Sequence, residues 1–168
     1  MIYPYIQVFG ETQLDELLEN EEKHFDHCIS IGDPGEKMLN SINDNFISHL
    51  RLEFHDIDEK KYSNDILPSL SDVEKIINYF NRTKNTATGY TIHCHAGVSR
   101  SVAVGIALLY MITKSEEKSL QIFYEIKKLA LPNRKLIELF DKTFGSNLKT
   151  VCDAIRKNTN EYLDSIKL

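Results

Sequence analysis

Apolar and polar positions follow two different periods along this chain, and the period changes several times in the first half. Short, largely apolar runs fall at residues 5–9, 27–31, 46–54 and 90–93. The second half of the third run alternates through Leu50, Leu52 and Phe54. Runs of this length predict β-strands. The run at 27–31 ends in Gly32-Asp33-Pro34-Gly35, a turn signal. Between the strands the period becomes helical. Leu14, Leu17 and Leu18 share one face over residues 12–19, and Val73, Ile76, Ile77 and Phe80 recur at i, i+3, i+4, i+7. Ser71-Asp72-Val73-Glu74 has capping-box spacing, which predicts a helix start at Ser71.

The second half reads as helix throughout. Residues 101–112 are apolar nearly all round, so this helix is expected at the centre of the molecule. The run is too short to span a bilayer. Leu120, Phe123, Ile126 and Leu129 are expected on one face of a helix capped by Ser115. A further helix covers residues 133–144 and stops at Gly145, and a last one, over residues 147–166, carries Leu148, Val151, Cys152 and Ile155. Strands alternating with helices predict an α/β fold. The expected architecture is a single domain over residues 1–168, with a small, mostly parallel central sheet flanked by helices and a helical C-terminal part.

Composition narrows the function. A length of 168 residues suits one hydrophobic core. The net charge of −5 argues against a nucleic-acid partner or a membrane surface, either of which would favour a basic face. The N-terminus lacks the basic start and apolar core of a secretory signal. Cys28, Cys94 and Cys152 form neither an even disulfide framework nor a C-x-x-C pair. A cytoplasmic, monomeric protein with free thiols, no metal and no cofactor is the expectation. Cys28 falls in a core strand and Cys152 on a helical apolar stripe, so both are packing residues. His24, His27, His49 and His55 are scattered and read as structural or solvated.

One segment stands apart. His93-Cys94-His95-Ala96-Gly97-Val98-Ser99-Arg100-Ser101 lies between a predicted strand and the most apolar helix. Backbone N–H groups of such a loop, with the first helical turn, converge on one concavity. That nest binds a tetrahedral oxyanion, aided by the positive end of the helix dipole. Gly97 allows the loop to close tightly. Arg100 can offer a planar fork to two phosphate oxygens. The field that holds a phosphate also favours an ionised sulfur, the nucleophilic form of cysteine.

This segment resembles the H-C-x-x-G-x-S-R-S signature of the dual-specificity protein tyrosine phosphatases, within the wider C-x5-R phosphatases. The resemblance covers roughly residues 5–144 and leaves the last helix outside it. It implies that Cys94 attacks phosphorus. Arg100 and the amides of His95, Ala96, Gly97, Val98, Ser99 and Arg100 would hold the phosphate. His93 would orient the loop and help set the thiol pKa, and Ser101 would hydrogen-bond the sulfur and ease its departure. Asn133, a plausible helix N-cap after Pro132, would also brace the active-site loops.

The leaving oxygen needs a proton, and a neighbouring carboxylic acid is the usual donor. The resembled family carries an aspartate ahead of the helix that precedes the cysteine strand. Asp56 and Asp58 both fit, and both lie further from the cysteine than the usual spacing, which implies an insertion around residues 60–69. Asp56 is favoured because it follows the strand directly; the other aspartate would cap a turn. Lys127-Lys128 and Arg134-Lys135 form a modestly basic stretch, read as a solvated face. The expected activity is hydrolysis of phosphotyrosine, with phosphoserine and phosphothreonine as further candidates. A phosphoinositide or RNA 5′-phosphate substrate is the alternative, disfavoured by the absence of lysine at positions 95, 96 and 98 and by the lack of a basic track. A catalytically silent phosphate-binding module would usually lack the cysteine, the arginine or the acid, all of which are present. A rhodanese-like sulfurtransferase or arsenate reductase would not need His93 or the Ser99-Arg100-Ser101 run.

Overall fold

The computed structural model describes residues 4–20, 25–39 and 42–166. His24 lies outside them. Among the described residues four strands form a parallel sheet: β1 (Tyr5–Gly10), β2 (Phe25–Gly32), β3 (Phe46–Glu53) and β4 (Gly89–Cys94), in the order β1-β4-β2-β3. β4 is buried along its whole length, as a strand covered on both faces must be. The edge strand β3 is less covered. Leu52 is buried there while Ile47 faces solvent.

Among the described residues seven helices accompany the sheet: α1 (Glu11–Asn20), α2 (Ile42–Asn45), α3 (Leu70–Thr83), α4 (Arg100–Thr113), α5 (Glu116–Ile126), α6 (Arg134–Phe144) and α7 (Leu148–Ser165). α4 is the central helix, buried from Arg100 to Leu109. Each fully buried Val, Ile or Leu on it contributes roughly 1.5–3 kcal/mol of transfer free energy. That anchors the helix start, and so the loop before it.

Caps place the other boundaries. Ser115 accepts from Lys118 N–H at the start of α5, and Gly145, with φ 66°, ends α6 in the left-handed region that glycine tolerates best. Two expectations need correction. α3 begins one residue earlier than expected, at Leu70. Its cap is Ser69, not Ser71, and its capping box pairs Ser69 with Asp72, not Ser71 with Glu74. Both spacings satisfy the box pattern, and the earlier serine wins because it has the extended backbone a cap requires (φ −124°, ψ 167°). Leu129 is not on the α5 stripe. The helix ends at Ile126, and Leu129 is partly exposed in the connection that follows.

Candidate active site

Cys94 is the last residue of β4, in register with Gly10 of β1 and Ile31 of β2. The chain then makes a five-residue loop before α4 begins at Arg100. Ser99 occupies the N-cap position of α4 but makes no side-chain cap bond. Its hydroxyl donates instead to Asp56 Oδ1 at 2.6 Å. The first turn of α4 therefore keeps N–H groups without the usual cap oxygen, at the positive end of the helix dipole. The loop closes against β1. Gly97 has φ 70°, and a Cβ there would lie 2.2 Å from the Gly10 nitrogen. Backbone conformation and contact both demand glycine. Glu11 N–H donates to His95 O at 3.0 Å and fixes the same junction.

Within this cradle, Cys94 Sγ lies 3.1 Å from Ser101 Oγ. Arg100 is 4% exposed. Its Nη1 donates to Asp33 Oδ1 at 2.6 Å and to Phe54 O at 2.8 Å. Its Nε is buried without a hydrogen-bond partner, 3.9 Å from Asp56 Oδ2. One corner of the guanidinium is thus anchored to the scaffold while another N–H lacks an acceptor. Leaving a buried donor unpaired costs about 1–3 kcal/mol, a cost that an oxyanion in the cradle would remove.

The two aspartates part company. Asp56 Oδ1 accepts from Ser99 Oγ and from Asn133 Nδ2 at 2.9 Å, which ties it to the loop beside the arginine. Asp58 Oδ1 accepts from the N–H groups of Arg134 and Lys135 at 2.8 and 3.2 Å. It sits at the N-terminus of α6, where a carboxylate is favourable. Asn133 caps that helix, accepting from Leu136 N–H at 2.9 Å. Asp56, Asp58, Val98, Ser99, Leu131 and Asn133 line an open cleft of about 300 Å³ that Arg156 also reaches.

A model of the dual specificity phosphatase catalytic domain matches residues 6–142. The chain belongs to the dual specificity phosphatases. Its Cys94 and Arg100 form the C-x5-R pair that marks cysteine-dependent phosphatase chemistry. Dual specificity protein phosphatase 12 of Mus musculus is 32% identical over 72 residues, and that of Rattus norvegicus 33% over 72. Each match spans 43% of this chain and only 20% of the relative's length. Among solved structures, DUSP15 superposes with a TM-score of 0.60 at 19% identity, covering 94% of both chains. The human tyrosine phosphatase-like serine/threonine/tyrosine-interacting protein gives 0.61 at 15% identity, covering 86% of this chain and 94% of its own. Likeness at these identities speaks to the fold.

In this dual specificity phosphatase, His93 is 2% exposed, and its Nε2 lies 2.6 Å from Ser30 Oγ. The same hydroxyl meets His49 Nε2 at 2.8 Å. Burial, with the positive charges of Arg51 and His49, pushes the His93 pKa down to about 4. His93 is therefore neutral near neutral pH and braces the strand end as a hydrogen-bonding group, not as a cation. Cys28 and Cys152 are buried thiols, each pushed up to about 12 chiefly by desolvation. Neither is poised to react. His27 meets Ser48 Oγ at 2.8 Å, a packing role.

Sequence reasoning missed two residues of the site. Asp33 lay in a segment read only as a turn, and its carboxylate anchors Arg100. The only signal available was an acid just after a strand that could lie beside the cysteine strand. Lys127, read as solvated, is half-buried. Desolvation lowers its pKa, and interaction with Cys94 opposes that shift. At the loop's outer rim, His95 Nδ1 lies 3.4 Å from Glu11 and 3.7 Å from Glu36. These three residues offer metal-type ligand atoms within 4.8 Å of one another.

Proposed function

We propose that this chain is a phosphoprotein phosphatase that acts first on phosphotyrosine, through a cysteinyl-phosphate intermediate on Cys94. The observation that carries this reading is the buried guanidinium of Arg100, held at Nη1 and unpaired at Nε, one turn of loop from Cys94. In the first step the Cys94 sulfur attacks phosphorus and the P–O bond to the leaving group breaks. Asp56 gives its proton to the departing oxygen. Arg100 and the amides of His95, Ala96, Gly97, Val98 and Ser99 hold the three equatorial oxygens. In the second step Asp56, now a carboxylate, takes a proton from water, which attacks phosphorus as the S–P bond breaks. Ser101 stabilises the departing sulfur from 3.1 Å. Asp56 takes the acid role because it adjoins the loop, while Asp58 is occupied by the α6 amides. Asn133 orients Asp56, and His93 supports the strand end.

Three unpaired thiols suit a reducing, cytoplasmic setting, and no helix among the described residues is long and apolar enough to cross a membrane. The whole chain is read as one catalytic unit that works as a monomer. The test is hydrolysis of para-nitrophenyl phosphate at mildly acidic pH, followed by a panel of phosphopeptides, phosphoinositides and 5′-phosphorylated RNA. Cys94→Ser and Arg100→Ala should be inactive, and Asp56→Asn should fall about 10²-fold or more. Equal rates for wild type and Cys94→Ser would overturn the nucleophile. A preference for phosphoinositides or RNA over phosphopeptides would overturn the substrate class.

A further inference from the structure

Helix α7 lies wholly beyond residues 6–142, the part shared with the family model. Its buried side consists of Leu148, Val151, Cys152, Ile155 and Thr159. The first four pack as an apolar stripe would. Thr159 does something more specific. Its hydroxyl oxygen accepts from Ala130 N–H at 3.1 Å, and the hydroxyl donates to Ala130 O at 2.9 Å. Both backbone groups of one residue are satisfied by a single side chain. Nearly one turn earlier, Arg156 Nη2 donates to Pro132 O at 2.6 Å.

Ala130 and Pro132 belong to the non-helical connection between α5 and α6. The residues that alternate with them point elsewhere. Leu131 N–H donates to Val98 O at 2.8 Å, and Asn133 N–H donates to Ser99 O at 3.4 Å. Asn133 Nδ2 then reaches Asp56 Oδ1. Residues 130–133 thus form an extended strap with a two-residue period. Its even positions bond to α7, and its odd positions bond to the phosphate loop and the aspartate.

We infer that α7 is a built-in positioning element for proton transfer, with Thr159 and Arg156 holding the strap so that Asn133 presents Asp56 to the leaving group. The inference rests on the proposed phosphatase reading. Thr159 and Arg156 are positioning residues, acting through Ala130, Pro132 and Asn133. Loosening the strap should weaken protonation of the leaving oxygen more than it disturbs the cradle, which gives up its two bonds to the strap but keeps its ties to β1 through Gly97 and the Glu11 N–H. Substrates whose leaving groups need the proton should therefore suffer most.

The experiment compares kcat/KM for phenyl phosphate, a poor leaving group, with that for para-nitrophenyl phosphate, a good one. Thr159→Val and Arg156→Met should each lower the phenyl phosphate value about 10-fold or more, and the para-nitrophenyl value less than about 3-fold. Thr159→Ser, which keeps the hydroxyl, should behave as wild type. An equal fall on both substrates, or no fall, overturns the proposal. Should Thr159→Val not fold, Arg156→Met carries the same comparison. Backbone hydrogen exchange provides a readout independent of catalysis. Leu131 and Asn133 N–H groups should exchange about 10-fold faster in either variant, and unchanged protection overturns the proposal. Loss of the phosphatase reading would appear differently, as a wild-type protein that hydrolyses neither substrate.

Discussion

The His93→Asn substitution tests the electrostatics beneath the nucleophile. Burial, reinforced by Arg51 and His49, takes the His93 pKa from 6.5 to about 4. Between those values the unfolded chain binds a proton that the folded protein refuses. The folded-state pKa is depressed, so this contribution to stability is complete above about pH 6.5. It is lost progressively as pH falls toward about 4, and the loss then levels off. Integrating the linkage from about pH 7.5 to about pH 4.5 gives a loss of about 2.5 kcal/mol attributable to this one imidazole. His27 and His49 are also shifted down by burial, so total stability should fall more steeply than His93 alone requires. The His93→Asn variant removes this titrating group; the bond that Nε2 makes to Ser30 is lost with it, a cost that does not vary with pH. The chain has no tryptophan, so urea unfolding is followed by far-ultraviolet circular dichroism at several pH values. Wild type should lose about 2.5 kcal/mol more than the variant over this range. Parallel stability curves for the two proteins would refute the reasoning.

Three further outcomes follow from the site. Asp58→Asn should cost about 1 kcal/mol of stability by removing a carboxylate from the first turn of α6, with kcat/KM within about 2-fold of wild type; a loss as large as that of Asp56→Asn would reverse the assignment of the two aspartates. Asp33→Ala removes the charged one of the two acceptors on Arg100 Nη1, leaving Phe54 O, and should weaken competitive inhibition by vanadate about 10-fold, measured against para-nitrophenyl phosphate; an unchanged inhibition constant would show that the guanidinium is held without Asp33. Gly97→Ala adds a methyl group 2.2 Å from the Gly10 nitrogen at a φ of 70°, so activity should disappear and the melting temperature should drop; full activity would contradict the fit of the loop against β1.

The parts of this molecule legible in its sequence are those encoded by neighbours. Periodicity located the strands and the longer helices, and missed the four-residue α2, because burial of one face leaves a repeating trace only over a longer run. The loop from His93 to Ser101 was legible because its chemistry is contiguous. What stayed hidden depends on residues far apart in the chain. The bond from Arg100 to Asp33 joins the start of α4 to the end of β2, and nothing near Asp33 marks it. Ser69 and Ser71 both satisfy a capping pattern, and only backbone geometry separates them. Asp56 and Asp58 meet different groups, the first the side chains of Ser99 and Asn133 and the second the first backbone amides of α6, a difference that no local spacing encodes. Thr159 reads as an ordinary polar residue on a helix until its two bonds to Ala130 are seen.

The strand order carries a consequence for how the protein is made. β4 separates β1 from β2, yet it is synthesised after β3 and α3, some eighty residues after β1. Until it emerges, β1 and β2 have no shared neighbour, and the apolar surfaces meant for β4 remain without their cover. Pairings this distant in sequence slow folding, because loop closure precedes any reward. The nucleophile therefore enters its setting only when the sheet is completed by its last strand, and a nascent chain released before that point carries no assembled reactive centre.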